Sequence, residues 1–434
     1  MSRRLVEKLN NWIERDEIIV IYGARQVGKT SLLRYLQKNL DAQGKKTIFV
    51  DLEDIELRSA LKTARNLIAY LEAVGWTKGE RFYVFLDEIH YMENAPSVLK
   101  YVHDHCPELK FIITGSSSLK LKFKMGEPLT GRKVVFVLYP LSFDEFLNFT
   151  GKTELREILS RFGPKPIPEP LLAQIAAVYE EYVMYGGYPK VALTPSRDMK
   201  IQVLKEIQTT YVEREIRSLV AEESYGRFSS LVEYLAAQNG GFVNVTEISK
   251  EAGIARETVM RYLSILEETF IVARIKPWTR SRQKEITRMP KLYFLDTGFL
   301  NYITKNFGSL SLRPNTGTLV ESAILTTLLR EMEEIEEVRF WRTKSKDEVD
   351  FILRGGKEII PIEVKWSARM KIPAGLRILL KGRLTQKAFV VVKNLYGEEK
   401  INSSIVTFLP PWALAPALWS LLERNTSYEK NPTK

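Results

Sequence analysis

One cysteine, Cys106, and three histidines (His90, His103, His105) in 434 residues leave no internal disulfide and no thiolate metal site. They also fit no familiar structural zinc spacing. Cysteine this sparse fits a reducing, intracellular compartment, so a cytoplasmic location is expected. The opening MSRRLVEKLNNWIERDE lacks the apolar core of a signal peptide. The longest apolar stretch, Leu409 to Leu422, holds three prolines and is too short to span a bilayer, so no membrane partner is expected. Internal repeats and low-complexity segments are also missing.

The composition that remains is globular, with 45% hydrophobic and 27% charged residues. The length is large for one core and implies two to four domains. An excess of 64 Lys+Arg over 53 Asp+Glu gives a net charge of +11, which favours polyanionic partners if the cations cluster.

Four short apolar runs rich in β-branched or aromatic residues recur through the first third, EIIVIYG, KKTIFVDLED, RFYVFLDE and KFIITGSSS, and the unit is expected to close near VVFVLYPL. Helical sequence separates most of them, and strands alternating with helices imply a parallel α/β sheet. Residues 141–235 read as helical, interrupted by the proline-rich GPKPIPEP. Residues 236–289 carry a helix–turn–helix pattern, and 290–434 return to mixed strands and helices. The expected domains are therefore 1–140, 141–235, 236–289 and 290–434.

GARQVGKT follows the first strand and opens a helix, and it fits the phosphate-loop spacing at Gly23, Gly28, Lys29 and Thr30. Glycines let the backbone wrap so that its N–H groups meet phosphate, and the next helix presents its positive end there. Gly23, Ala24, Arg25, Gln26, Val27, Gly28, Lys29, Thr30 and Ser31 are the expected nucleotide contacts, with ATP and Mg²⁺ as cofactors. Lys29 can reach the β- and γ-phosphates, and the Thr30 hydroxyl can ligate Mg²⁺. FYVFLDEIH then ends a strand in an acidic pair: Asp87 is placed to hold Mg²⁺ through water, and Glu88 to polarise the attacking water. Thr114, opening the run Thr114 to Ser118, offers a hydroxyl that could sense the γ-phosphate.

The segments GARQVGKTSLL, FLDEIHYM, IITGSSS, LTGRKVVFVLYPLSFDEF and YGGYP together resemble archaeal and bacterial AAA+ ATPases of the additional-strand type. The resemblance implies a P-loop AAA+ core followed by a helical lid at 141–235. It also implies an arginine finger or sensor at Arg132, and a homo-oligomer if Arg132 acts on a neighbouring subunit's nucleotide.

FVNVTEISKEAGIARETVMRYLSILEETFIVARIKPW reads as a winged helix–turn–helix. Asn244 or Thr246 caps the first helix and Gly253 makes the turn, with the second helix over Ala255 to Glu268. Arg256 and Arg261 fall on the exposed faces, and Lys276, Arg280, Arg282 and Lys284 belong to a basic run around Trp278. These are the expected DNA contacts. Several glutamates on the helices favour the wing as the main grip.

The C-terminal part holds Glu321 on a helix, Asp350 at the start of an apolar strand, and Glu363 and Lys365 alternating along the next. Carboxylates that hold Mg²⁺ beside a lysine that orients water suit metal-dependent phosphodiester chemistry. The order resembles PD-(D/E)XK nucleases, with Val349 where a proline usually precedes the Asp. It implies a restriction-endonuclease-like α/β domain in which Glu321, Asp350 and Glu363 bind metal and Lys365 is catalytic. The leading expectation is an ATPase acting on branched or repair and replication DNA intermediates, with DNA binding or nicking at the C-terminal end. The alternative is a nucleotide-switched signalling or defence regulator whose nuclease-like domain is an effector or an inactive platform.

Overall fold

A computed structural model describes residues 3–115, 129–212, 216–217, 219–279, 288–331, 337–355 and 358–429. They form two compact units. The first comprises residues 1–140 with the segments 209–219 and 264–271; the second comprises 141–208, 220–263 and 272–434.

The first unit is built on five parallel strands: β1 (Ile18–Tyr22), β2 (Lys46–Asp51), β3 (Phe82–Asp87), β4 (Leu109–Gly115) and β5 (Lys133–Val137). Their spatial order is β2-β3-β4-β1-β5. β4 thus lies between the strand that leads into the glycine loop and the strand that ends in Asp87. β1, β3 and β4 are buried along their whole length, which is why they read as continuous apolar runs and not as alternating ones. Lys110, fully buried on β4, donates to the carbonyls of Trp12 (2.7 Å), Arg15 (2.9 Å) and Glu17. It satisfies the end of the first helix, and burial pushes its ammonium down to about 8.

The second unit contains an eight-stranded mixed sheet. Its strands are β6 (Val272–Pro277), β7 (Lys291–Phe294), β8 (Glu337–Arg342), β9 (Glu348–Gly355), β10 (Glu358–Lys365), β11 (Lys387–Val392), β12 (Gly397–Ile401) and β13 (Ser404–Leu409). Their order is β12-β13-β11-β10-β9-β8-β6-β7. β8, β9 and β10 form an antiparallel meander, and β11 returns parallel to β10 after the helix Ala374–Lys381. The helix–turn–helix matches its sequence pattern closely. Asn244 Oδ1 accepts from the N–H groups of Thr246 and Glu247, Gly253 turns the chain at φ 62°, and the second helix spans Arg256–Glu268.

The hairpin β6–β7 follows, and its pairing runs across the expected 289/290 boundary: Val272 to Ile275 lie opposite Phe294 to Lys291. Through the parallel pair β6–β8, at Lys276 and Arg339, this hairpin is continuous with the C-terminal sheet.

Two glycine-containing segments lock together in the same unit. Asp296 accepts from Gly187 N–H and from Phe299 N–H, both at 2.8 Å. A Cβ on Gly298 would sit 1.9 Å from the Tyr185 carbonyl oxygen, so only glycine permits this approach. Among the described residues, no helix is long and apolar enough to cross a membrane.

Candidate functional site

Three clusters gather the chemistry-bearing side chains. The first sits at the C-terminal ends of β1, β3 and β4. A Cβ on Gly23 would lie 2.3 Å from the Leu138 carbonyl oxygen, and Gly28 takes the left-handed conformation (φ 97°) that starts the helix Lys29–Ala42. That helix has no acidic residue in its first turn, so nothing on it competes with an anion for its amino end. Lys29 is buried, and its Nζ donates to the carbonyls of Gly23 (3.1 Å) and Ala24 (2.9 Å). Thr30 is half-buried, Ser31 is exposed, and Arg25 lies 3.6 Å from Glu53 Oε1. One contributor that sequence reading missed is Arg3, buried and donating to the Val27 carbonyl at 3.3 Å, which ties the loop to the chain's start. No motif marks it.

Across the sheet, the acidic pair is held by Thr114. Its hydroxyl donates to Asp87 Oδ1 and accepts from the Glu88 N–H at 3.1 Å. Thr114 is fully buried, so both partners of its hydroxyl lie within the acidic pair. Glu88 adopts φ 53°, ψ 49°, a strained conformation for glutamate, and it turns the side chain off the strand's end. Its Oε2 lies 3.1 Å from His90 Nδ1. Burial opposes ionisation of Glu88, but His90 and the charges of Lys29 and Arg25 outweigh it and hold the carboxyl at about 2. Ser116 to Ser118 lie outside the described residues.

Arg132 stands elsewhere. Its carbonyl accepts from the Ile18 N–H at 2.8 Å, at the entry to β1, and its Nε lies 2.6 Å from Asp104 Oδ1. The loop Gly23–Gly28 follows the other end of β1, roughly 15 Å away at the rise of a parallel strand. Within one chain Arg132 does not reach the loop.

The second cluster is the face of the helix–turn–helix and hairpin. Arg256 and Arg261 are exposed on the second helix, and Lys276 is exposed on β6. Arg280, Arg282 and Lys284 lie outside the described residues. Lys291, at the end of the basic run, is buried and paired with Glu348, with its Nζ 5.8 Å and 5.6 Å from the ring centres of Phe242 and Phe340.

The third cluster is carboxylate-rich. Asp350 and Glu363 are buried on β9 and β10; the Asp350 N–H donates to Glu363 Oε2 at 3.3 Å, and the Val364 N–H donates to Asp350 Oδ2 at 2.8 Å. Lys365 Nζ lies 2.8 Å from Glu363 and 3.9 Å from Asp350. Glu321 accepts from the Tyr293 hydroxyl at 2.9 Å. Burial and then the Asp350 charge push Glu321 up to about 7 and Glu363 up to about 8, and burial also raises Asp350.

Among the described residues, no three His, Cys, Asp or Glu side chains converge closely enough to enclose a metal ion. Asp350 and Glu363 are therefore the acidic nucleus, and Glu321 is held by Tyr293. Tyr293, Lys291 and Glu348 were not anticipated. Two of them come from β7, whose pairing partners are far away in sequence.

Comparison with known families divides the chain into three matched segments. Residues 15–147 match the AAA domain model, 176–310 a domain of unknown function (DUF8612), and 316–412 another domain of unknown function (DUF4143). An uncharacterized protein of Haemophilus influenzae is 23% identical over 420 residues, covering 94% of this chain and 97% of that protein. Uncharacterized protein MJ1544 of Methanocaldococcus jannaschii is 26% identical over 358 residues, covering 80% and 74% respectively.

Among solved structures, AMPPCP-bound DnaA from Aquifex aeolicus is similar at a TM-score of 0.28 and 15% identity, covering 61% of this chain and 86% of that one. The Aeropyrum pernix ORC2 protein in its ADPNP–ADP complexes is similar at a TM-score of 0.29 and 14% identity, covering 70% and 91%. With its phosphate loop, inserted strand and acidic pair, the segment matched as an AAA domain is a nucleotide-binding ATPase domain.

Proposed function

We propose that this chain couples Mg²⁺-dependent ATP hydrolysis to work on DNA, gripping it with the helix–turn–helix and hairpin and presenting it to the Asp350–Glu363–Lys365 cluster. The loop N–H groups and Lys29 bind the phosphates, and Lys29 exchanges its two loop carbonyls for phosphate oxygens. Thr30 and Asp87 fit a hard cation by their oxygen chemistry. Mg²⁺ bound there supplies charge neutralisation at the β- and γ-phosphates. Glu88, ionised throughout the neutral range, orients and polarises the attacking water by accepting a hydrogen bond from it. Thr114 keeps that carboxylate and Asp87 in register. Arg132 acts on the nucleotide of a neighbouring subunit, so the working form is a homo-oligomer.

One observation supports the DNA reading most: the hairpin bearing Lys276 belongs to the same sheet as Asp350 and Glu363. Backbone grip and carboxylate cluster are then a single piece, and DNA held at one lies along the other. The buried pair Asp350–Glu363 offers the oxygen ligands a divalent ion takes, and Lys365, nearly half exposed, is placed to meet a phosphate. This is the sense in which 290–434 is read as nuclease-like and 236–289 as a winged helix, following in chain order the ATPase core at 1–140 and a lid at 141–235.

Single-stranded, duplex, forked and four-way-junction DNA should be titrated at moderate salt. Arg256→Glu with Arg261→Glu is expected to weaken binding to every DNA and to reduce the salt dependence. Retention of full affinity by this pair of substitutions, or no binding to any of the DNAs, would sink the proposal. Asp350→Ala is expected to abolish any Mg²⁺-dependent nicking while leaving ATP hydrolysis unchanged.

One observation favours a second reading, a nucleotide-switched regulator with the carboxylate unit as a silent platform. Lys365 already sits against both acids, and no three-carboxylate cage is formed among the described residues. Near-stoichiometric ADP retained through purification, with no response to DNA, would select it.

A further inference from the structure

Within the second unit a cavity of about 280 Å³ opens between the start of the helix–turn–helix, the base of the hairpin and the edge of β8. Its apolar walls are Phe242, Phe340, Pro277 and Met289. The two rings meet edge to face, with centroids 5.7 Å apart and planes at 68°; Phe340 is buried and fixes Phe242, the half-buried ring that the cavity reaches. The cations are placed differently from each other. The Arg342 guanidinium is spread over the Phe242 ring at 4.4 Å, whereas Arg288 is exposed and has no hydrogen-bond or ion-pair partner among the described residues.

The cavity also offers hydrogen-bonding groups. Asn244 Nδ2 donates to Glu247 Oε2 at 3.2 Å, which leaves Glu247 Oε1 without a partner among the described residues. The Glu247 carboxylate can therefore accept from an exocyclic amine. Met289, half exposed, forms a movable lip.

A partly apolar cavity, beside a guanidinium and a carboxylate oxygen that have no partner among the described residues, matches one class of ligand: an aromatic base carrying an amine and a phosphate. The volume lies just below the range of small-molecule pockets, about 300 to 1,000 Å³. It suits a single base. The pocket is also wired to the carboxylate cluster, since Arg342 lies 3.6 Å from Glu348, and Glu348 is the partner of Lys291. We propose that this cavity binds a single unstacked nucleotide, base against Phe242 and phosphate on Arg288, donated by a single-stranded stretch of the DNA. The source of the nucleotide rests on the DNA reading above; the nucleotide chemistry of the pocket does not.

The test uses the full-length protein with saturating ADP and Mg²⁺, so that the phosphate loop is filled. Two probes are titrated: 2-aminopurine deoxyribonucleoside monophosphate, and a duplex bearing 2-aminopurine in a single-stranded tail. Fluorescence of the tail probe should change on binding. Arg288→Ala and Met289→Glu should each remove that change and weaken tailed DNA by about ten-fold, the scale of losing one base stack, while blunt duplex binds within two-fold of wild type. A response from the free monophosphate alone, lost in the same variants, supports the pocket and assigns it to free nucleotide. If neither probe responds while blunt duplex binds, the pocket proposal is overturned and the DNA reading stands. If neither responds and no DNA binds, both fall.

Discussion

Replacing Thr114 with valine keeps the shape of a fully buried side chain and deletes one hydroxyl. That hydroxyl makes two hydrogen bonds, to the Asp87 carboxylate and from the Glu88 N–H. A bond to a charged group contributes about 1.5–3 kcal/mol, and a donor left buried without a partner costs about 1–3 kcal/mol. Glu88 sits in a left-handed conformation that glutamate adopts only under constraint, so the released free energy is available to let it relax. If the loss falls on the orientation of Glu88 in the transition state, about 1.5–3 kcal/mol corresponds to roughly a 10- to 150-fold fall in kcat. ATP and ADP affinity, set by the loop and Lys29, should change less than three-fold. Thr114→Ser restores the hydroxyl and should recover most of the rate. Steady-state hydrolysis with calorimetric nucleotide binding measures all of this. Loss of ATP affinity with ADP affinity intact would refute the reasoning, because it would make Thr114 a γ-phosphate contact; unaltered kcat would refute it as well.

Burial pushes Asp296 up to about 6, so its folded-state pKa lies above the unfolded value of 3.8 and its contribution to stability is fully present below about 3.8 and lost as pH rises through 6. By pH 8 the loss is on the order of 3 kcal/mol, and denaturant titrations at pH 4.5 and 8 should show a smaller pH difference for Asp296→Asn than for wild type. Gly298→Ala forces a methyl to within 1.9 Å of a backbone oxygen; a destabilisation of about 3 kcal/mol or more is expected, read as insolubility or early unfolding. Arg132→Ala should abolish hydrolysis, and mixing it with Lys29→Ala subunits should recover part of the activity, since each lacks what the other supplies. No recovery in the mixture would exclude action between subunits.

Where a function depends on local spacing, the sequence reading and the structure coincide. The four apolar runs read as strands are β1 to β4, three of them uniformly apolar because they are buried on both faces, and β5 falls where the unit was expected to close. Asn244, Gly253 and the apolar positions between them specified the helix–turn–helix through capping and turn chemistry, which act over a few residues. Glu363 and Lys365 were placed side by side by the two-residue period of a strand.

What stayed hidden depends on distant pairing. That β6 joins β8 is decided by contacts some sixty residues apart, and no local pattern encodes it. Lys291 stands at the end of the basic run in sequence, and its burial against Glu348 follows from the sheet that β7 joins. The same holds for Tyr293, an ordinary strand aromatic until β7 carries it to Glu321. Thr114 was found but its partners were not, because the order of strands in the sheet, not the sequence beside it, sets Asp87 next to it.

The coupling of nucleotide hydrolysis to DNA is tested most directly by the rate of Mg²⁺-dependent ATP hydrolysis by the full-length protein with and without forked DNA. Hydrolysis should be stimulated several-fold by DNA in wild type, absent in Glu88→Gln, and unstimulated in the Arg256→Glu, Arg261→Glu variant at an unchanged basal rate. A wild-type rate that is the same with and without single-stranded, duplex and forked DNA would contradict the coupling.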